Sequence, residues 1–190
     1  MSDMRNVLVV ISGPSGVGKG TIARLLTERE GYALSVSCTT RPPRPGEKNG
    51  REYFFLSREE FLQKINTGGL LEYSEHFGNF YGTPRDFVTE KLQKNDVILE
   101  IDVNGGLKVK ESYPQAVLIM ILPPSLEEVK RRLKKRNTEG EAEIELRMQR
   151  IGYELSKKDL YDYAVVNADL YKTAEEIERI IEGEKNKDQN

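Results

Sequence analysis

The chain has 190 residues, in which 29 Lys and Arg stand against 31 Asp and Glu, so its formal net charge is −2. This near balance excludes a polyanion binder held by bulk positive charge, and we expect no nucleic-acid partner. The longest apolar run, 116–122, is far shorter than the roughly 20 residues that cross a bilayer, and the single cysteine, Cys38, excludes an intrachain disulfide. We therefore expect a globular, cytoplasmic protein without a membrane partner.

Apolar runs alternate with helical signals along the chain. A helix is predicted to start in a glycine-rich turn and to run through 21–30. Further helix starts are predicted at Ser57, Ser125 and Thr173, because a glutamate follows each of them three residues later. Several of the apolar runs are continuous, as in parallel strands that are buried on both faces. The alternation indicates an α/β domain with a parallel sheet. The five predicted strands are 7–12, 33–37, 97–101, 116–122 and 163–166.

Two segments interrupt this alternation. The first, 37–93, is rich in glycine and tyrosine and predicts a small insert of short antiparallel strands and a helix. The second, 127–157, predicts a charge-dense pair of helices with only a thin apolar stripe, which suits a mobile lid. The core domain would then consist of residues 1–36, 94–126 and 158–190. The apolar stripe of the second lid helix is Ile144, Met148, Ile151 and Leu155.

A phosphate-binding loop is predicted between the first strand and the first helix. Its glycines let successive backbone N–H groups converge on phosphate oxygens, and Lys19 can reach the β- and γ-phosphates of a nucleoside triphosphate. Gly20 separates Lys19 from the hydroxyl of Thr21, so contact of Thr21 with Mg²⁺ directly and through water are both open. The loop alone leaves GTPases, motor ATPases and kinases open. Its residues are Gly13, Pro14, Ser15, Gly16, Val17, Gly18, Lys19, Gly20 and Thr21.

The insert narrows the choice of acceptor. Arg41 and Arg44 lie in a proline-stiffened turn and offer planar, bidentate donors that suit a phosphate dianion. Tyr53 follows them, and a carboxylate at Glu72 and a hydroxyl at Thr83 come later in the insert. This combination predicts a second anionic substrate beside the triphosphate.

The sequence resembles guanylate kinases over nearly its whole length. The matching strings, in order, are GPSGVGKGT, SCTTRPPRPGEKNGREYFF, LLEYSEHFGNFYGT, ILEIDVNG and KRRLKKR with LRMQR. The resemblance implies transfer of the γ-phosphoryl group of ATP to GMP and dGMP, with Mg²⁺, giving ADP and the diphosphate. It also implies a P-loop three-layer fold with a central parallel five-stranded sheet, a GMP-binding insert and a helical lid.

The resemblance further implies roles for individual residues. Asn167 would lie near the adenine ring. Glu100, where other members have aspartate, would lie with Asp102 on the metal side, where both would act on the ion through its direct ligands rather than bind it themselves. Carboxylates suit guanine and repel adenine, whose N1 is itself an acceptor. The implied GMP site is Ser37, Arg41, Arg44, Tyr53, Glu72, Tyr81, Thr83 and Asp102. The groups implied to neutralise transferred charge are Lys19, Arg41, Arg132, Arg136 and Arg147.

Two other interpretations stay open at this point. A kinase for another nucleoside monophosphate would lack a carboxylate aimed at the base, so Glu72 argues against it. A scaffolding module without catalysis would be expected to have a damaged phosphate loop, whereas Lys19 is intact. Arg131 and Arg150 are interpreted as additional solvated charges. His76, the only histidine, is expected to be an exposed residue of the insert without a catalytic role.

Overall fold

The computed structural model describes residues 5–29, 31–76, 78–135 and 141–187, with the side chains of 132–135, 142 and 143 outside the described part. Its strands are β1 (Leu8–Ser12), β2 (Tyr32–Leu34), β3 (Cys38–Thr39), β4 (Phe54–Phe55), β5 (Leu70–His76), β6 (Asn79–Pro84), β7 (Asp96–Glu100), β8 (Val117–Leu122) and β9 (Tyr163–Val166). Its helices are α1 (Lys19–Thr27), α2 (Arg58–Asn66), α3 (Arg85–Leu92), α4 (Val103–Ser112), α5 (Leu126–Lys135), α6 (Glu141–Leu155) and α7 (Leu170–Lys187).

The central sheet has five parallel strands in the order β2-β7-β1-β8-β9. The first strand therefore lies in the middle, and the chain continues from it to opposite sides of the sheet. Such a reversal of strand order opens a crevice at the carboxyl ends of the strands. This places the loop after β1 at the centre of that crevice and confirms the predicted α/β fold with a parallel sheet.

Helices cover both faces of the central sheet. Alternate residues of β1 separate the two cores: Val9 and Ile11 pack with α1 and α7, whereas Leu8 and Val10 pack with α3 and α4. Strands that are buried on both faces need apolar side chains at every position, which explains the continuous apolar runs. The result is the three-layer arrangement expected from the sequence.

A second sheet of four strands, in the order β4-β3-β6-β5, lies within 37–93. The pairs β3–β6 and β5–β6 are antiparallel, while β3–β4 is parallel. Phe61 of α2 stacks on Phe80 and, with Cys38 and Leu70, forms a small core of its own. Its own core allows this sheet to hold side chains beside the crevice without belonging to the central sheet.

The helices α5 and α6 form the predicted charged hairpin. Val129 of α5 packs against the stripe on α6 that the sequence predicts, formed by Ile144, Met148, Ile151 and Leu155. This confirms the thin apolar stripe. In the part of the chain that the structure describes, no helix is both long and apolar enough to cross a membrane.

Local capping signals give two correct helix starts and one wrong one. Ser57 forms a reciprocal capping box with Glu60 at the start of α2, and the Ser125 hydroxyl accepts from Glu128 N at the start of α5. The predicted start at Thr173 is wrong because α7 begins at Leu170, where Asp169 accepts from two backbone N–H groups. The first helix begins at Lys19, within the glycine-rich turn as predicted, but ends at Thr27 rather than 30. The second strand ends at Leu34 rather than 37, where the chain leaves the sheet for the insert.

Candidate active site

The phosphate loop connects β1 to α1 in a conformation that requires glycine. Gly13, Gly16 and Gly18 have φ angles of 144°, 79° and 103°, a region that other residues rarely adopt. A Cβ on Gly13 would collide with the Ile121 carbonyl oxygen, and one on Gly18 would lie 2.6 Å from Asn167 Nδ2. The loop therefore ends with open backbone N–H groups at the N-terminus of α1, an arrangement that binds anions.

Lys19 folds back over this loop. Its ammonium group donates to Gly13 O at 2.6 Å and to Pro14 O at 3.0 Å. Burial lowers the pKa of Lys19, and the negative charges of Glu100, Glu154 and Asp102 oppose that shift. A partly desolvated cation held by two neutral carbonyl groups is well placed to exchange them for phosphate oxygens.

A cavity of about 840 Å³ opens above the loop, and we call it the phosphate cavity. The phosphate loop forms its floor, Glu100 and Asp102 at the end of β7 form one wall, and Arg147, Arg150 and Glu154 of α6 form another. Its shape and its mixture of loop N–H groups and cationic side chains fit the triphosphate of a nucleotide.

Glu100 occupies the space beside Gly20. A Cβ at position 20 would lie 3.2 Å from Glu100 Oε2, closer than most side-chain contacts. The carboxylate therefore fills the room that a serine after Lys19 would take, while the hydroxyl of Thr21 lines the same cavity. Asp102 caps α4 by accepting from Gly105 N at 2.9 Å with Oδ1.

Glu72 and Thr83 form a buried pair at the junction of the insert and the core. The Thr83 hydroxyl donates to Glu72 Oε1 at 2.7 Å, and both residues are buried. Burial raises the pKa of Glu72 to about 6, and the charge of Asp102 adds to the shift. The other oxygen, Oε2, lies 3.3 Å from where a Cβ of Gly105 would be, so no larger side chain fits there without crowding it. The fold thus keeps a carboxylate beside the crevice although burial removes the water that would stabilise its charge.

Arg41 is the centre of a cluster on the insert. Its guanidinium lies 5.6 Å from the centre of the Tyr53 ring, and its pKa is raised chiefly by Glu47 and to a lesser degree by the neighbouring Tyr81 hydroxyl. The Tyr53 and Tyr81 rings meet edge to face at 6.0 Å. The sequence prediction thus names three side chains that the fold brings together. Arg44 is exposed on the same turn, and Ser37 is half-buried just before β3, with its carbonyl group accepting from Phe54 N.

Glu47 is a partner that the sequence analysis missed. Its Oε1 accepts from Arg41 Nη2 at 3.0 Å, and its Oε2 accepts from Arg44 N at 2.7 Å. These bonds lower the pKa of Glu47. Because arginine binds carboxylates and phosphates with the same planar donors, Glu47 occupies a group of Arg41 that could otherwise bind a phosphate.

His76 has more contacts than the sequence suggests. It is exposed, as expected, but its Nε2 lies 3.8 Å from Asp102 Oδ2 and 3.0 Å from Ser74 Oγ. Its ring centre is 6.0 Å from that of Tyr81. The histidine therefore bridges the insert to the start of α4.

On the lid side, the structure brings Arg147 to the phosphate cavity. The side chain of Arg132 and all of Arg136 lie outside the described residues. Arg150, interpreted from the sequence as a solvated charge, is exposed but also lines the cavity, with its Nε 3.4 Å from Glu154 Oε1. Glu154 was missed. Burial raises its pKa, and among the described residues its Oε2 has no hydrogen-bond partner.

Asn167 lies behind the phosphate loop, where it is buried. Its Nδ2 donates to Val17 O at 2.7 Å, and its Oδ1 accepts from the Thr173 hydroxyl at 3.2 Å. The resemblance implies a place for Asn167 near the adenine ring, and the structure shows the side chain in contact with the phosphate loop. The side chain of Val17 itself belongs to the core, so this residue can offer only its backbone to a ligand.

Comparisons with known proteins agree on one family. A family model described as "Guanylate kinase" matches residues 5–184. The guanylate kinase of Clostridioides difficile is 50% identical over 185 residues, which cover 96% of this chain and 90% of that protein. That of Caldanaerobacter subterraneus subsp. tengcongensis is 49% identical over 183 residues, covering 95% and 89%. The crystal structure of guanylate kinase from Anaplasma phagocytophilum matches with a TM-score of 0.75 at 37% identity, covering 96% of this chain and 88% of that one.

Proposed function

The chain belongs to the guanylate kinase family, and from that membership we propose how its own residues transfer the γ-phosphoryl group of ATP to GMP. As a nucleoside monophosphate kinase, it uses ATP to phosphorylate GMP and releases ADP and GDP. The observation that supports guanine as the base is the buried Glu72–Thr83 pair. Asp102, whose charge acts on Glu72, also lines the phosphate cavity, so the pair lies close to that cavity.

The phosphate cavity is the proposed donor site. Backbone N–H groups from Gly13 to Thr21 bind the triphosphate, and Lys19 leaves the Gly13 and Pro14 carbonyl groups to bind its β- and γ-phosphates. Arg147 adds positive charge from the α6 wall, and the family resemblance extends this role to Arg132 and Arg136. Phosphoryl transfer needs such charge where the transferred group spreads its own.

The cluster around Arg41 is the proposed acceptor site. Arg41, Arg44, Tyr53 and Tyr81 bind the GMP phosphate, and Glu47 gives up Arg41 when the dianion arrives. Because that phosphate is already largely ionised at neutral pH, the reaction needs alignment and charge neutralisation rather than a general base.

The guanine base is proposed to bind at the junction of insert and core. Glu72 accepts from guanine N1–H and the exocyclic amine, and Asp102 faces the amine. The Thr83 hydroxyl, which has one hydrogen, turns from Glu72 Oε1 to guanine O6, and Ser37 also donates to O6. Adenine would present an acceptor at N1 to a buried carboxylate, which leaves both groups unpaired. None of these contacts involves the sugar 2′-hydroxyl, so we propose that dGMP is also a substrate.

Mg²⁺ fits the oxygen-rich wall of the phosphate cavity. The described ranges hold no cluster of three or more metal-ligating side chains, and Mg²⁺ commonly uses one or two carboxylates together with substrate phosphates and waters. Thr21, Glu100 and Asp102 are the residues that would hold it, with Glu100 and Asp102 as outer ligands. When bound, the ion neutralises charge on the phosphates. We propose the cytoplasm as the location, where both nucleotides are available.

One assay tests this function. We expect ADP release, coupled to an indicator reaction, from ATP with GMP and dGMP, and kcat/KM for AMP lower by at least about a thousandfold. CMP and UMP serve as further acceptors. Absence of turnover with GMP would overturn the proposal, and equal turnover with AMP would overturn the guanine site.

Arg41→Met is expected to raise the KM for GMP about a hundredfold and to leave the KM for ATP unchanged, because charge-assisted bonds to a phosphate are lost. Steady-state kinetics with each substrate varied in turn measure both constants. Arg51→Met is the matched control, since Arg51 is an exposed arginine of the same insert, paired with Glu52. A GMP KM within threefold of wild type would remove Arg41 from the acceptor site.

A further inference from the structure

Asn167 is bonded on every side to structural groups. Its backbone N–H donates to Leu122 O at 2.8 Å, its Nδ2 donates to Val17 O at 2.7 Å, and its Oδ1 accepts from the Thr173 hydroxyl at 3.2 Å. Asn167 is 6% exposed and Thr173 is 2% exposed. The side chain thus connects the start of α7 to the middle of the phosphate loop.

The carboxamide also fills the space behind the loop. A Cβ on Gly18 would lie 2.6 Å from Asn167 Nδ2 and 3.3 Å from Leu170 Cδ2. Interior packing of this density transmits a displacement rather than absorbing it. A shift of the carboxamide would therefore move the loop.

The bond to Val17 O fixes the direction of a loop N–H group. The described part of the chain has no cis peptide bond, so the Val17 carbonyl and the Gly18 N–H point in opposite directions across one planar unit. With the carbonyl held by Asn167 behind the loop, the Gly18 N–H points toward the phosphate cavity. The side chain of Asn167 thereby orients a donor that it does not itself contribute.

We propose that Asn167, held in place by Thr173, is a positioning residue that sets the affinity of the phosphate loop for the triphosphate of any nucleotide. This rests on the proposed function, in which that loop binds the ATP phosphates. The role differs from a contact with the adenine ring, because an adenine contact changes the affinity for the base, whereas an oriented N–H changes the affinity for phosphate alone.

Two near-isosteric variants separate these roles. Asn167→Asp places a carboxylate oxygen against Val17 O and removes the donor, and Thr173→Val removes the hydroxyl that holds Oδ1. The measurements are the KM for ATP, the KM for GMP and the inhibition constant of inorganic tripolyphosphate against ATP, all on the full chain. Thr89→Val on α3 is the control, because in the part of the chain that the structure describes the Thr89 hydroxyl bonds within its own helix, to Arg85 O.

We expect Asn167→Asp to raise the KM for ATP and the inhibition constant of tripolyphosphate by the same factor, about tenfold. Thr173→Val should raise both by about threefold, and the KM for GMP should stay unchanged in both variants. Thr173→Ser, which keeps the hydroxyl, should recover most of the affinity. A higher KM for ATP with an unchanged inhibition constant of tripolyphosphate would overturn the proposal in favour of an adenine contact. A folded Thr173→Val protein with wild-type constants would overturn it as well, which keeps the test decisive if Asn167→Asp fails to fold.

Assays of the wild-type protein test the proposed function separately from the role of Asn167. If it phosphorylates GMP and tripolyphosphate competes with ATP, the proposed function stands, and only the variants decide the role of Asn167. If tripolyphosphate does not compete with ATP in the wild-type protein, both the donor site and the role of Asn167 are overturned.

Discussion

Lys19→Met is expected to lower kcat/KM for ATP and GMP by at least about a thousandfold, a typical effect of removing a charge that acts on the transferred group. Methionine keeps the length and the apolar stem of the side chain but offers no ammonium to the β- and γ-phosphates. Arg147 and Arg150 on the α6 wall cannot take its place within the loop, and the acids Glu100, Asp102 and Glu154 that act on Lys19 would then have less positive charge beside them.

The fold should survive this substitution. Among the described residues the Lys19 ammonium bonds to Gly13 O and Pro14 O of its own loop, and its burial disfavours the charged form, so its loss removes little stability. Thermal midpoints and steady-state constants measure the two effects separately. Lys94→Met, at an exposed lysine after α3, is the matched control and should match wild type in both. A Lys19→Met enzyme within tenfold of wild-type activity would contradict the donor-site assignment.

The parts of this protein that the sequence predicts are those in which cause and effect are close along the chain. The phosphate loop is a contiguous run from Gly13 to Lys19, and its glycines are required by local backbone angles. The strands are likewise visible because burial on both faces demands an unbroken apolar run. The capping box at Ser57 is local in the same sense, since both of its hydrogen bonds join residues three apart.

Where the contacts of a side chain depend on how separate elements pack, the sequence pattern predicts the wrong contact or none. Thr173 has the spacing of a helix cap, yet its hydroxyl bonds Asn167, and Asp169 caps the helix instead. No spacing rule could link His76 to Asp102, because their approach depends on how the insert meets the core. Glu154 is similar: its burial follows from how α6 lies over the phosphate cavity, which its charge-rich sequence does not show.

Glu72, which we propose to select guanine, also affects the stability of the fold, and its burial in the structure shows why. Burial raises its pKa from 4.5 to about 6. Between those values the folded protein binds more protons than the unfolded chain, so the free energy of unfolding falls as pH rises through this window. The shift corresponds to about 2 kcal/mol of stability lost above pH 6. In the proposed function, the binding of guanine is the reason for a carboxylate that weakens the fold.

Glu72→Gln is therefore expected to raise stability and to destroy specificity. Above pH 6 its free energy of unfolding should exceed that of wild type by up to about 2 kcal/mol, since an amide carries no charge to desolvate and still accepts from Thr83. The ratio of kcat/KM for GMP to that for AMP should fall by at least about a thousandfold, because the amide offers a donor where guanine also donates.

Two measurements test this prediction independently. Denaturant unfolding at pH 5 and pH 7.5 should show the pH dependence in wild type and its loss in Glu72→Gln, and wild-type kcat/KM for GMP should decline as pH falls through about 6, where the free carboxylate is protonated. Glu75→Gln is the matched control, because Glu75 is exposed on the same strand. If Glu72→Gln kept its preference for GMP, the guanine edge would be read elsewhere; if its stability did not rise, the carboxylate would have to be stabilised in the fold by a donor in addition to Thr83.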